Sequence, residues 1–328
     1  MRSNVSLLAR AVLLSFSWLW ATAATAQTAY PEREIKILVG FTAGGTTDVI
    51  ARMVGQELSI RWGKPVVIDN RPGAAGNIAI DIVAKAKPDG YTLAVGSVGP
   101  LAVNATLYKA MPYDNLKDLT PVTLMADVPT MLVVNPQMNP ATNLLEFIEH
   151  AKAKPGSVFY GSTGSGTMAH LAGEMLKQRA GIEMTHVPFK GATGVTDMLG
   201  GQSVCCMFGT IPSVISYVKA GRLKAFAVSS AKRSASSPDV PTVAELGFPG
   251  FDGSSWFGVV GPAGLPRDIV DKLNKEIVSI LAKPEIRDKL VALGADPIGN
   301  TPEAFAAHMK AETEKWGKLV KDLDIKAD

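Results

Sequence analysis

In Ile35-Lys36-Ile37-Leu38-Val39-Gly40-Phe41-Thr42-Ala43-Gly44-Gly45-Thr46-Thr47-Asp48 an apolar, β-branched run breaks at a glycine pair and a helix-like stretch begins. The same order returns at Pro65 to Asp69, followed by Arg71-Pro72-Gly73-Ala74-Ala75-Gly76-Asn77. Strand, glycine turn and helix start together make an anion-binding device. The first amides of a helix lack intrahelical acceptors and carry the positive end of the macrodipole, so they hold a carboxylate or phosphate without a charged side chain. Glycine lets the ligand approach the backbone closely.

Outward from this stretch the rhythm continues. Helix-like stretches at Thr47 to Arg61 and Asn77 to Ala86 alternate with β-type runs at Pro65 to Asp69 and Thr92 to Gly96. A second series alternates Thr130 to Asn135, Asn143 to Lys154, Val158 to Gly161, Thr167 to Arg179, Met184 to Pro188, Gly194 to Leu199, Val204 to Phe208, Ile211 to Ala220 and Ala225 to Ser229. This is the βαβ pattern of parallel sheets with covering helices, and its two series predict two α/β lobes. Prolines, glycines and turn residues interrupt the pattern at Asp118 to Pro129 and Phe248 to Gly264, read as the two lobe crossings. A β-type run at Trp256 to Gly261 and helices at Arg267 to Leu281, Pro284 to Leu293 and Pro302 to Leu319 follow, expected to return to the first lobe. The lobes then occupy residues 27–124 with 251–328, and 125–250.

Arg2 and Arg10, the apolar Ala11 to Trp20 and the small-residue site Ala24-Thr25-Ala26 read as an export signal cleaved before Gln27. The apolar core is shorter than the ~20 residues of a membrane-spanning helix. Without residues 1–26 the chain keeps 31 basic and 30 acidic side chains, because only Arg2 and Arg10 leave. That balance argues against nucleic acid as a partner. The cysteines, Cys205 and Cys206, are neighbours. Adjacent Cα atoms lie ~3.8 Å apart, below the disulfide range. They read as small buried hydrophobes, pointing to opposite faces of a strand.

Catalytic readings find little purchase. No G-x-S-x-G elbow occurs around Tyr160-Gly161-Ser162-Thr163-Gly164-Ser165-Gly166, and the histidines are only His150, His170, His186 and His308. No zinc-ligand spacing appears, so no metal is expected. Gly164-Ser165-Gly166-Thr167-Met168-Ala169 fits a loose dinucleotide fingerprint, but it lies outside the first βα unit and Glu183 is a poor ribose partner. The loop serves equally as a third anion-binding turn, and no cofactor is expected. Paired carboxylates for an exported hydrolase stay open, since such partners can be far apart in sequence. An exported enzyme acting on a small acid is therefore the rival to a binding protein.

Tyr30-Pro31, Gly40 to Asp48, Asn70 to Gly76, Pro88-Asp89-Gly90-Tyr91-Thr92, Tyr160-Gly161-Ser162, His186-Val187-Pro188-Phe189-Lys190-Gly191, Gly200-Gly201-Gln202 and Pro238-Asp239-Val240-Pro241-Thr242 occur in an order that resembles the Bug-type periplasmic solute-binding proteins of tripartite tricarboxylate transporters. The resemblance implies a two-lobed Venus-flytrap fold of the periplasmic-binding-protein class, with two crossings between lobes. It implies a non-catalytic, monomeric receptor for a small mono-, di- or aromatic carboxylate, delivering it to permease subunits or to a sensor. It places the ligand against Thr42, Ala43, Gly44, Gly45, Thr46 and Asp48 of the first loop and Gly73, Ala74, Ala75, Gly76 and Asn77 of the second. Ser162, Thr163, Gly164 and His170 would complete the cleft from the far lobe, and Phe41 and Phe208 join the candidate contacts from their own positions at strand ends.

The stretch Ser203 to Gly209 is about one residue longer than the family pattern and lacks an acid many members carry nearby, which favours ligands without an ammonium group. Phe41, Phe189, Phe208 and Trp256 fall at strand ends or crossings and read equally as cleft walls or as core. Asp48 is expected to fix the first loop, since an acid touching a carboxylate repels it. Arg71 is read as a loop anchor ahead of a ligand partner.

Overall fold

Each predicted strand–turn–helix unit exists in the computed structural model, which describes residues 30–191 and 193–327. The export signal read over residues 1–26 lies outside the described residues. Residues 33–328 form one unit, and the architecture below is theirs.

Strand β1 (Ile35–Val39) is buried on both faces except at Lys36 and pairs in parallel with β2 (Val66–Asn70) and β3 (Thr92–Ser97). Helix α1 (Thr46–Trp62) makes the first crossover; Gly63, in the left-handed region at φ 62°, ends it. Helix α2 (Asn77–Ala84) makes the second, and a tight π-type turn over Gly99–Val103 leads from β3 into α3 (Asn104–Leu107).

The segment expected to be an irregular crossing is instead a 16-residue strand, β4 (Leu119–Val134). It pairs antiparallel with β9 (Ser254–Pro262) as far as Pro129, then from Thr130 with β7 (Cys206–Thr210). At ~3.3 Å per residue such a strand runs about 50 Å, enough to belong to two portions of the sheet. Pro121, which reads as a breaker, sits where the β4–β9 register slips before Thr123, and Pro129 sits where β4 leaves β9 for β7. Such irregularities are where a strand bends and where a missing amide donor is least costly.

The second portion is built by α4 (Leu144–Ala153), β5 (Val158–Ser162), α5 (Met168–Ala180), β6 (Met184–Pro188), α6 (Thr193–Leu199), β7, α7 (Ile211–Lys219) and β8 (Lys224–Val228). Parallel pairs β5–β6 and β5–β7 join β4 through the antiparallel β7, and β8 also lies along β4. Overall the strand order is β2-β1-β3-β9-β4-β7-β5-β6. Cys205 lies just before β7, so strand alternation does not govern it. Both cysteines are free and buried, and both sulfurs approach the carbonyl of Phe159.

After β9, helices α8 (Arg267–Leu281), α9 (Pro284–Ala292) and α10 (Pro302–Asp322) follow, with the short β10 (Asp296–Pro297) pairing β4. α8 packs on α1 and β4, and α10 packs on β4, α3 and the Gly99–Val103 turn. Thr301 caps α10 by accepting the Ala304 amide, and Pro302 occupies the first helical position, where no amide bond is lost. Phe305, Met309 and Trp316 form its buried stripe. Trp256 belongs to this core: its ring lies edge-on to Phe305, and its Nε1 donates to Glu312 Oε2, which also accepts from Trp316 Nε1. A buried indole needs such a partner.

Candidate functional site

The two portions of the sheet face one another across a cavity at the carboxyl ends of β1, β3, β5 and β7. The first wall is the loop after β1. Asp48 ties it down: its carboxylate accepts from the Gly44 amide at 2.8 Å, Arg52 Nε at 3.0 Å and Asn70 Nδ2 at 2.9 Å. Asn70 also donates to the Phe41 carbonyl, so β2 holds the same loop. Burial pushes the Asp48 pKa up, but the bonds from Arg52, Gly44 and Asn70 and the charge of Arg52 outweigh it and hold the group below the usual carboxylate value.

A depressed folded-state pKa gives stability that is complete above the unfolded carboxylate value, ~3.9, and is lost as pH falls through the lower folded value. Asp48→Asn is expected to lower unfolding free energy by about 1–3 kcal/mol at neutral pH. Denaturant titrations at neutral and acid pH check this, and the gap between wild type and variant should narrow toward acid.

Gly45 leads α1 without a side-chain cap, so the amides of Thr46, Thr47 and Asp48 have no intrahelical acceptor. Across the cavity Thr167 leads α5; its hydroxyl turns back to the Gly164 carbonyl, leaving the amides of Met168 and Ala169 open. Thr210 leads α7, with Pro212 in its first turn. Gly45, Thr46, Thr47, Thr167, Met168, Ala169 and Thr210 line one inner cavity, with about 60 Å³ open to the centres of water molecules. Three helix starts thus open onto it.

Among the described residues no ionisable side chain lines the inner cavity, whereas nine hydroxyls do, together with Phe41, Phe208 and Phe257. Thr46 Oγ1 and Thr210 Oγ1 bridge its two walls at 2.7 Å. Thr47, Ser97 and Ser255 are each at most 5% exposed, and their hydroxyls hydrogen-bond to no described residue. Buried hydroxyls facing a cavity without a protein partner are donors held for a ligand or for water.

A second, outer cavity of about 240 Å³ lies beside it. Phe41 and Thr163 line both, so they form the partition. The second glycine loop opens here: Gly73, Ala74 and Ala75 line the outer cavity with Gly164, Phe189 and Lys190. Gly73, Ala74, Ala75 and Gly76 have φ of 142°, 44°, 50° and 96° in succession. Alanine is rarely found there, and such strain is characteristic of functional turns. The two loops touch where a Cβ on Gly40 would fall 2.5 Å from Gly76 Cα.

The residues expected at the ligand therefore divide. Phe41, Gly45, Thr46, Thr163 and Phe208 line the inner cavity, and Gly73, Ala74, Ala75 and Gly164 the outer one. Ala43 and Gly44 are exposed and line neither. Thr42 and Gly76 support the partition: the Thr42 hydroxyl is buried without a partner against Gly191, and Gly76 packs on the Phe41 ring. Asn77 is structural, accepting from Asn104 Nδ2 at 2.6 Å and from the Tyr113 hydroxyl at 3.1 Å. Ser162 and His170 stand behind the Thr163 loop, and Arg71 pairs with Asp69 beside its own loop. Thr47, Ser97, Thr130, Thr167, Thr210, Ser213, Ser255 and Phe257, which the sequence reading did not place at the ligand, also line the inner cavity. Ser97 and Thr210 are the last residues of β3 and β7, so strand-end position was the usable signal.

Among the described residues, no group of three or more His, Cys, Asp or Glu side chains is placed to hold a metal ion. No described helix is long and apolar enough to cross a membrane.

The family described as "Tripartite tricarboxylate transporter family receptor" matches residues 50–325. Protein BugT of Bordetella pertussis is 38% identical over 299 residues, covering 90% of this chain and 91% of BugT. A solved structure of R. palustris Rpa4515 with adipate superposes with TM-score 0.88 at 38% identity, covering 90% of this chain and 99% of that one. MatC from Rhodopseudomonas palustris with bound malate gives TM-score 0.82 at 32% identity, covering 89% of this chain and 100% of that one. The likeness to these structures and to the periplasmic binding protein BugD establishes the mixed α/β periplasmic-binding-protein fold. With most of its length matched, the chain belongs to the receptor family of the tripartite tricarboxylate transporters.

Proposed function

We propose that the chain is a periplasmic receptor that closes its two lobes on a small carboxylate and hands it unchanged to a membrane permease. The observation that carries this reading is the inner cavity, where helix starts from both walls and unpartnered hydroxyls face a space that no ionisable side chain of the described residues lines. An anion gains hydrogen bonds there worth ~1.5–3 kcal/mol each before desolvation and ordering costs. An ammonium group would find no carboxylate, so amino acids are disfavoured. Adipate and malate, bound by the two related proteins, are acids of the expected kind. The lobes proposed are 27–124 with 251–328, and 125–250, limits that fall within β4 and just before β9.

The serine–histidine pair among the described residues does not favour catalysis. Ser162 Oγ lies 2.6 Å from His186 Nε2, but Ser162 is fully buried and lines neither cavity, so a substrate cannot reach it.

A thermal-shift screen of mono-, di-, tri- and aromatic carboxylates and amino acids tests the reading. At a hundredfold excess over Kd a true ligand adds about 2.7 kcal/mol, several degrees in Tm. Stabilisation by carboxylates lacking an ammonium group, with the acid recovered intact by mass spectrometry, is expected. A converted acid, or a screen without stabilisers, defeats it.

A further inference from the structure

The loop from Ser162 to Thr167 is the far wall of both cavities: Thr163 lines both, and Gly164 and Ser165 line the outer one. Two imidazoles hold its backbone from behind. Ser162 Oγ accepts the Gly164 amide at 3.1 Å and makes a 2.6 Å hydrogen bond with His186 Nε2, whose direction the imidazole tautomer sets. His170 Nδ1 accepts the Gly166 amide at 3.1 Å. The two rings are stacked, with centroids 4.0 Å apart and planes within 12°. The His170 bond needs a ring nitrogen that carries no proton, and the His186 bond needs one wherever the Ser162 hydroxyl is the donor.

Other titratable groups surround the stack. From β5 the Tyr160 ring lies 5.0 Å from His186 and donates its hydroxyl to Glu174 Oε1 of α5. Lys177, one turn further along α5, pairs with both oxygens of Glu174. The Glu174 charge is thereby engaged by Tyr160 and Lys177.

We infer that His170 and His186 are positioning residues for ligand capture, which hold the Thr163–Gly166 wall in its cavity-lining form only while both accepting nitrogens are unprotonated. The inference rests on the proposed function in taking this wall as part of the ligand site. A proton on His170 Nδ1 sets a donor against the Gly166 amide, and one on His186 Nε2 turns that nitrogen into a donor to Ser162 Oγ, so that the buried Ser162 hydroxyl must give its hydrogen elsewhere. Two charged rings in a stack also repel. The ordered wall therefore binds fewer protons than the loosened one, so acid favours loosening and ligand release.

The test uses the full chain without ligand, over the range from about pH 8 to about pH 5 where imidazoles titrate. Nitrogen NMR of the rings is expected to show His170 as the Nε2–H tautomer and His186 as the Nδ1–H tautomer at the alkaline end. Hydrogen-exchange protection of Gly164 and Gly166, relative to β1 amides, should fall toward a limiting tenfold per pH unit in acid. His170→Asn and His186→Gln keep an acceptor near the same place but cannot titrate, so in each variant the amide it serves should stay protected at all pH values. Equal acid sensitivity in those variants, flat protection in the wild type, or a doubly protonated ring at about pH 8 overturns the inference. A failed carboxylate screen would strike the proposed function and leave this result standing.

Discussion

Ser97→Asp is expected to cut carboxylate affinity by about 100- to 1,000-fold while leaving the fold intact. Ser97 ends β3, is 5% exposed, and turns an unpartnered hydroxyl into the inner cavity. A carboxylate placed there meets what a ligand carboxylate would meet: the open amides of Thr46, Thr47, Met168 and Ala169 and a ring of hydroxyls. Two like charges ~4 Å apart at an effective dielectric of ~20 repel by about 4 kcal/mol, the upper end of the expected loss. The same helix starts should stabilise the new carboxylate by about 0.3–1 kcal/mol each, offsetting part of its burial. Tm should therefore fall only slightly while affinity drops steeply. Ser97→Ala, which removes one donor only, should lose about tenfold. Titration calorimetry with the best acid from the screen, alongside thermal melts, separates the cases. Ser97→Asp binding within about threefold of wild type would mean that the anion sits elsewhere.

Much of this architecture was written in local punctuation. Glycine pairs after β-branched runs placed α1 and α2 within a residue or two, because a helix that follows a strand at once needs such a turn. Asp48, placed both against the ligand and as a loop anchor, holds the Gly44 amide, and Arg71, read as an anchor ahead of a ligand partner, pairs with Asp69, a contact no motif announced. β4 was not legible. Its prolines mark a turn in any local reading, and only pairing with β9, more than a hundred residues later, makes it a strand. The cavity hydroxyls were hidden for a related reason. Ser97, Thr130 and Ser255 belong to no motif; they meet because β3, β4 and β9 are neighbours in the sheet. Trp256 shows the converse, since its position near a crossing allowed a cleft wall until α10 was seen to cover it.

Gly166→Ala should prevent the two walls from closing. Gly166 has φ 90°, and a Cβ there would fall 2.1 Å from Asn104 Oδ1 and 2.8 Å from Leu107 Cδ2. Asn104 cannot step aside easily: it is fully buried and its Nδ2 is held by Asn77. Next to it the Tyr108 hydroxyl donates to the Ser165 carbonyl, and a Cβ on Gly99 would come 3.1 Å from the Gly166 carbonyl. The segment from Gly99 to Tyr108 and the Ser162–Thr167 loop therefore meet backbone to backbone. Overpacking of this kind costs about 1–3 kcal/mol, and parting the walls relieves it without disturbing either core. Affinity should drop by about 10- to 100-fold while stability falls only by the backbone strain of about 1 kcal/mol, and solution scattering should show a larger radius of gyration that a saturating acid does not reduce. Gly181→Ala is the matched control, because φ is 62° there and a Cβ would meet nothing within 4 Å. It carries the same backbone strain in open space, so it should lose about 1 kcal/mol of stability and bind as wild type. If the two variants bind alike, backbone strain rather than blocked closure explains Gly166, and the closed contact between the walls is not needed to retain the ligand.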